Sequence, residues 1–216
     1  MQVKHIAQTS SILNKFMMEI RDKNIQKDSM RFRRNLERVG EVLSYEMSKT
    51  MKFSEQTVKT SLGVKKILLH ENDIVLCSIL RAGLPLHRGI LNYFDNVENA
   101  FISAYRKVKK DGSFTIEVEY FASPRIDNKV LFLADPMLAT GRSLVSTYRA
   151  LLSHGKPREM HIFSVIASTQ GIEYIKKYLP ENTTLWVADI DDEMNSKDYI
   201  VPGLGDAGDL SFGTKI

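Results

Sequence analysis

The stretch from Val130 to Leu144 reads VLFLADPMLATGRSL and carries the residue types that grip an anion beside a carboxylate. Val130, Leu131, Phe132 and Leu133 form a short apolar run of the kind found in a strand covered on both faces. Asp135 ends the run with a charge. Ala139, Thr140, Gly141 and Ser143 follow, small residues with two hydroxyls and one unrestricted backbone position. From Leu144 to Leu152 the apolar residues recur at helical spacing. A loop at a helix N-terminus turns several free N–H groups toward one spot. The helix dipole favours an anion there by roughly 0.3–1 kcal/mol. Hydrogen bonds to a charged phosphate add about 1.5–3 kcal/mol each. An acid at the carboxyl end of a strand is where open α/β sheets bind ligands. The pattern is not a Walker A loop, because no Gly-x4-Gly-Lys-Ser/Thr occurs.

Three further segments carry chemistry. In SILRAGLPL, Arg81 follows an apolar run and precedes Ala82 and Gly83, so a guanidinium can meet a ligand where small residues let the backbone approach. In AYRKVKKDG, Arg106 leads a basic tip that can close over a polyanion. The tail YIVPGLGDAGDLSFGT contains Gly203, Gly205 and Gly208 at the spacing of the dinucleotide fingerprint. That fingerprint needs a helix and a further strand with an acid about 20 residues on. Eight residues remain after Gly208, so the tail reads instead as a loop that wraps a flat ligand with its own backbone.

The elements that must position these groups are legible in outline. Ser10 or Ser11 can cap a first helix with Leu13, Phe16, Met17 and Ile20 on one face. A second helix runs from about Ser29 to Met51 on a stripe of Phe32, Leu36, Val39, Leu43 and Met47. Asp73–Leu80 reads as a buried strand, followed by a helix around Pro85–Tyr93. Ala100–Val108 and Ser113–Phe121 read as a hairpin with a turn at Lys110–Gly112. In its second strand, Phe114, Ile116, Val118 and Tyr120 alternate with Thr115, Glu117 and Glu119. Met160–Ala167 and Thr184–Ile190 are strands on either side of a helix over Gln170–Tyr178. The segment from Asp198 onward has no clean period. Strands alternating with helices predict an α/β fold with a parallel sheet flanked by helices. We expect a single domain over 1–216, with an N-terminal helical arm (1–52), a hairpin arm (99–122) and a C-terminal loop (198–216).

The chain has 216 residues, a net charge of +4 and an isoelectric point near 9.0. That mild excess suits a small polyanion or a nucleic acid without demanding either. The densest basic patches are Arg31 to Arg34 and Arg106 to Lys110. The single Cys77 excludes an internal disulfide and reads as a buried thiol. The five histidines are scattered, with no metal-ligand spacing. The N-terminus lacks a signal-peptide core, and no apolar run nears the roughly 20 residues of a membrane span. A cytoplasmic location without a membrane partner is therefore expected.

Taken together, ADPMLATG, ILRAGL, YIVPGLGDAGD and FGTK resemble the signatures of the uracil phosphoribosyltransferase family, in its order and spacing. IRDKN and FRRNLERVGEVLSYE resemble its helical arm. The likeness runs from about Leu13 to Lys215 and implies the type I phosphoribosyltransferase fold. Such enzymes transfer the ribose 5-phosphate of phosphoribosyl pyrophosphate (PRPP) to N1 of uracil, giving uridine monophosphate (UMP) and pyrophosphate. The resemblance implies that Asp135, Pro136, Met137, Leu138, Ala139, Thr140, Gly141, Arg142 and Ser143 bind PRPP, with Asp135 on the ribose hydroxyls. Arg81 and Arg106 would address the pyrophosphate. Ile200, Gly205, Asp206 and Ala207 would hold uracil, and Asp206 would also touch PRPP or its metal. The implied catalytic set is Arg81, Arg106, Asp135 and Asp206. Magnesium is the implied cofactor, GTP a possible effector, and a homodimer or homotetramer the implied assembly. No nucleic-acid partner is expected.

Two departures bear on this. The family's TGGS loop is here Thr140-Gly141-Arg142-Ser143. If position 142 needed φ > 0, arginine would cost roughly 1 kcal/mol or more. The arm after Arg106 is basic where the family's is acidic. Arg142 and that arm motivate an alternative, a catalytically weak sensor of PRPP or nucleotides. The Arg31–Arg34 cluster motivates another, an RNA-binding regulator on the same fold.

Overall fold

The computed structural model describes residues 1–70, 73–108 and 114–215 and, over 104–108 and 114–118, the backbone path alone. In chain order the elements are β1 (Gln2–His5), α1 (Ile12–Arg21), α2 (Ser29–Ser48), β2 (Phe53–Thr60), β3 (Gly63–His70), β4 (Ile74–Leu80), α3 (Gly83–Leu91), β5 (Glu98–Val108), β6 (Phe114–Ala122), β7 (Val130–Ala134), β8 (Met137–Leu138), α4 (Arg142–Leu151), β9 (Glu159–Ser168), α5 (Thr169–Tyr178), β10 (Thr183–Asp191), β11 (Glu193–Met194), β12 (Ile200–Val201) and α6 (Ala207–Phe212).

The main sheet runs β1-β10-β9-β7-β4-β5-β6, with β8 also paired to β9. All its pairings are parallel except β5 with β6. From β4 the chain moves through α3 to β5, toward one edge. From β7 it moves through α4 to β9 and then through α5 to β10, toward the other. The direction of winding therefore reverses between β4 and β7, the place where open α/β sheets leave a crevice at the strands' carboxyl ends. The register Ser78↔Ala134 brings the segments that follow those two strands side by side. Those segments carry Arg81 and Asp135.

Alternation along the strands divides the core in two. Leu76, Phe132, Phe163 and Trp186 face the layer formed by α1, α2 and α3. Val75, Leu131, Leu133, Ile162 and Val187 face α4 and α5. The first layer is closed by the predicted stripe of α2, in which Phe32, Leu36, Val39, Leu43 and Met47 are all at most 1% exposed. Leu13, Met17 and Ile20 of α1 are buried with it. Ser11 caps α1: its Oγ accepts from the Leu13 N–H at 3.2 Å, and Asn14 Oδ1 accepts from the Ser11 N–H. Asp28 caps α2 by accepting from the Arg31 N–H at 3.0 Å. Among the described residues no helix is long and apolar enough to cross a membrane.

The mostly parallel sheet flanked by helices is the architecture expected from the sequence, and β5–β6 is the expected hairpin. Its turn at 110–112 and the alternation over 114–118 lie outside the described side chains. Three features differ from expectation. β1 adds an edge strand beside β10. The segment 53–70 forms a second hairpin, β2–β3, in a sheet of its own. It is exposed nearly throughout, with Leu62 98% exposed. Neither of its faces is buried, so its sequence shows no apolar alternation. The tail is not structureless: α6 forms over Ala207–Phe212, capped by Asp206.

Candidate active site

The loop after β7 is held to β9 and α5 by its main chain. The Asp135 N–H donates to the Phe163 carbonyl at 3.1 Å, and the Pro136 carbonyl accepts from the N–H groups of Val165 and Ile166. The Ala139 carbonyl accepts from Ser168 Oγ at 2.6 Å. Ser168 Oγ itself accepts from the Gly171 N–H at 2.8 Å, which caps α5. Gly171 lies so close that a Cβ there would sit 2.2 Å from the Ala139 oxygen. Ser168 and Gly171 thus fix the loop from beneath.

Gly141 takes the left-handed conformation, φ 73°, as the N-cap of α4. Arg142 is the first helical residue, and among the described residues the non-glycine ones with positive φ are Asn128 and Asp198. The cost foreseen for arginine at position 142 is therefore not incurred, because Gly141 supplies the turn. The first turn of α4 leaves N–H groups without intrahelical partners. They border a pocket of about 100 Å³ lined by Asp135, Met137, Leu138, Ala139, Thr140, Gly141, Ser143 and Leu144. Burial pushes the Asp135 carboxyl up to about 7, against a weaker downward pull from the Met137 N–H that it accepts at 3.2 Å.

This pocket adjoins a cleft of about 720 Å³. Arg81, Asp135, Met137, Ala139, Ser143, Asp206 and Ala207 line it, as do Ser103, Glu119, Lys197, Asp198, Tyr199, Gly208 and Lys215. The Arg81 Nη2 donates to Asp209 Oδ1 at 3.1 Å and to the Gly213 carbonyl at 3.0 Å, while its buried Nε has no hydrogen-bond partner. Asp206 Oδ1 accepts from the Asp209 N–H at 2.9 Å, and Oδ2 lies 3.9 Å from Lys215 Nζ. The Ala207 N–H points at the Met137 sulfur, 3.4 Å away, so the C-terminal loop and the β7 loop are in contact.

Most of the sequence-derived site residues converge here. Ile200 and Gly205 stand back from the cleft wall: Ile200 is 3% exposed within the core, and Gly205 turns the chain at φ 91°. Pro136 is buried and acts through its carbonyl. Arg106 lies on β5, and its side chain is outside those described. Residue-type reasoning did not find Lys197, Asp198, Tyr199 and Lys215, which reach the cleft only because the tail folds back. The Arg31–Arg34 cluster is engaged within the protein. Arg31 pairs with Glu19, Arg34 with Glu37 and Glu41, and Arg33 Nη1 donates to the Ser211 carbonyl at 2.6 Å.

A strand-end acid, a phosphate-sized pocket on a helix N-terminus and a glycine-rich loop closing one cleft at a sheet's switch point define a phosphoribosyltransferase. The chain belongs to the uracil phosphoribosyltransferase family, whose model matches residues 7–214. It is 54% identical over 216 residues, 100% of both chains, to a uracil phosphoribosyltransferase of Porphyromonas gingivalis. It is 36% identical to one of Thermococcus gammatolerans, covering 96% of this chain and 92% of that one. A solved structure from Aquifex aeolicus superposes with a TM-score of 0.87 at 27% identity, covering 100% of both chains. The chain is thus a pentosyltransferase of pyrimidine salvage.

Proposed function

We propose that the cleft transfers ribose 5-phosphate from PRPP to N1 of uracil, releasing pyrophosphate and UMP. The observation that carries this reading is the small pocket of the β7 loop opening directly beside the larger cleft, with the tail loop closing the far wall. In this reading the 5-phosphate sits on the amides and hydroxyls of Ala139, Thr140, Gly141, Arg142 and Ser143. The Asp135 carboxylate accepts hydrogen bonds from the ribose hydroxyls. Arg81 and Arg106 face the pyrophosphate, and the place of Arg81 on the cleft wall with Asp135 supports its part. The main chain from Ile200 to Ala207 holds the base.

Departure of pyrophosphate leaves cationic character at the anomeric carbon. The protein therefore contributes positioning and stabilisation of leaving-group charge, and no covalent nucleophile is needed. Main-chain hydrogen bonds to the base discriminate strongly, because an analogue leaves buried groups unpaired. Among the described residues no cluster of three metal-ligating side chains exists. Two carboxylates, Asp135 and Asp206, do line the cleft, a donor set that suits magnesium held mainly by substrate phosphates. Asp135 and Asp206 would hold magnesium together with the phosphates of PRPP, and the ion would supply neutralisation of pyrophosphate charge.

The whole chain acts as one unit in this reading, since one core layer draws on residues from Leu13 to Ala207. A homodimer or homotetramer, activation by GTP and a cytoplasmic location accompany it. Pyrophosphate release measured with PRPP against a panel of bases tests the function: rapid release with uracil alone is expected. Tight PRPP binding with no UMP formed under any base would overturn it. Sedimentation with and without GTP, alongside the rate, tests the assembly and the effector.

A further inference from the structure

Away from the phosphate pocket, α1 and β10 meet behind the tail loop. Arg21, the last residue of α1, forms a fork on Asp191: Nη1 to Oδ2 at 2.8 Å and Nη2 to Oδ1 at 3.0 Å. Its Nη2 also donates to Asp189 Oδ2 at 2.9 Å. The same Nη1 donates to the Gly203 carbonyl at 2.9 Å. The Gly203 N–H donates in turn to Asp191 Oδ2 at 3.1 Å. Both main-chain groups of one residue are therefore held by one ion pair. Asp191 is 8% exposed, and charge-assisted, bidentate bonds in such surroundings are the strong ones.

Gly203 is the pivot of the loop. It adopts φ 61°, and a Cβ there would lie 2.1 Å from the Ile200 carbonyl oxygen. The turn brings the chain from β12 to Gly205, Asp206 and Ala207. A base recognised by main-chain groups is recognised only as well as that main chain is placed, and misplacement by about 1 Å can cost 10²-fold in rate. The phosphate loop is anchored separately, by Ser168 and Gly171.

We propose that Arg21 and Asp191 are positioning residues for base recognition: their ion pair fixes the Gly203 turn, and through it the main-chain groups of residues 200–207. This rests on the reading above that the tail loop takes uracil. The sign of the effect follows from the two separate anchors. Loosening the clamp weakens the base site far more than the PRPP site, which keeps its own anchor and shares with the tail the contacts at Asp206 and Ala207.

The test is steady-state kinetics on full-length Arg21→Lys and Asp191→Asn proteins, with PRPP binding by calorimetry and thermal melting alongside. Lysine keeps the charge and loses the fork; asparagine keeps the shape and loses the charge. A rise in KM for uracil of tenfold or more is expected in both, with KM and Kd for PRPP within twofold of wild type. A uracil KM within twofold of wild type in either folded variant overturns the proposal. So does an equal rise in both KM values, which marks a merely structural role. If one variant fails to fold, the other decides. A wild-type protein that forms no UMP sinks the functional reading; active wild type with unmoved variants sinks only the clamp.

Discussion

Asp135 occupies a position that pulls its chemistry in two directions. Burial raises its carboxyl to about 7, while its proposed role, accepting from two ribose hydroxyls at once, favours the ionised form, which is acceptor-only. PRPP binding is therefore expected to expel a proton from Asp135 below about pH 7. Calorimetry at pH 6.5 in buffers of different ionisation enthalpy reads that release, and Asp135→Asn abolishes it together with at least about 10²-fold of kcat/KM. The linkage to stability has a definite sign. The folded carboxyl keeps its proton up to about 7 and the unfolded one only to about 3.9, so the folded state binds more protons between those values. Its contribution to stability falls as pH rises through that interval. Asp206 separates two roles in one side chain. Asparagine preserves the cap on α6 and alanine loses about 1 kcal/mol with it. Both variants are expected to lose activity by about 10²-fold, but melting curves should show a drop only for Asp206→Ala.

At the scale of elements, the β7 loop depends on a neighbour rather than on itself. The β7 loop rests on the start of α5 through Ser168 and Gly171. A methyl group at position 171 meets backbone oxygens at 2.2 and 2.8 Å, and no side-chain rotation relieves that. Gly171→Ala is expected to push the loop outward and raise the KM for PRPP by tenfold or more. Ser168→Ala removes a cap and a loop anchor, costing about 1–2 kcal/mol and raising the same KM several-fold. Kinetics with each substrate varied in turn, together with melting curves, check both. The Val130–Leu144 motif was readable because a buried strand, an acid and a helix N-terminus follow one another directly in the chain. Its support from Ser168 and Gly171 was not, because those residues lie some 30 positions further on and touch the loop only through parallel pairing of β7 with β9.

Across the whole molecule, the sheet carries load on both faces. Phe132 stacks edge-on to Phe94 at 5.4 Å, lies 5.2 Å from Phe163 and is fully buried. Phe132→Ala is expected to cost about 3–5 kcal/mol, read as a shift of the denaturant midpoint at unchanged slope. The same burial explains which parts of the molecule were foreseen. The helical arm, β4, β7, β9 and β10 each bury a face or a whole strand, and burial writes a period into the sequence. The β2–β3 hairpin buries neither face and so left no such trace. The short α6 depends on its Asp206 cap and on packing against α2, where Arg33 reaches the Ser211 carbonyl.

By itself, the order of residues determined the local chemistry: an acid at a strand end, a left-handed glycine before a helix, an arginine ahead of small residues, and a tail rich in glycine. Those follow from backbone sterics and from hydrophobic periodicity, which act over a few positions. Only the tertiary structure decided that the winding reverses between β4 and β7, so that Arg81 and Asp135 share one crevice. It alone decided that the tail returns to close it, held by Arg21, Arg33 and Arg81. Such contacts join residues more than a hundred positions apart, and no local pattern encodes a pairing that exists only once the sheet has formed.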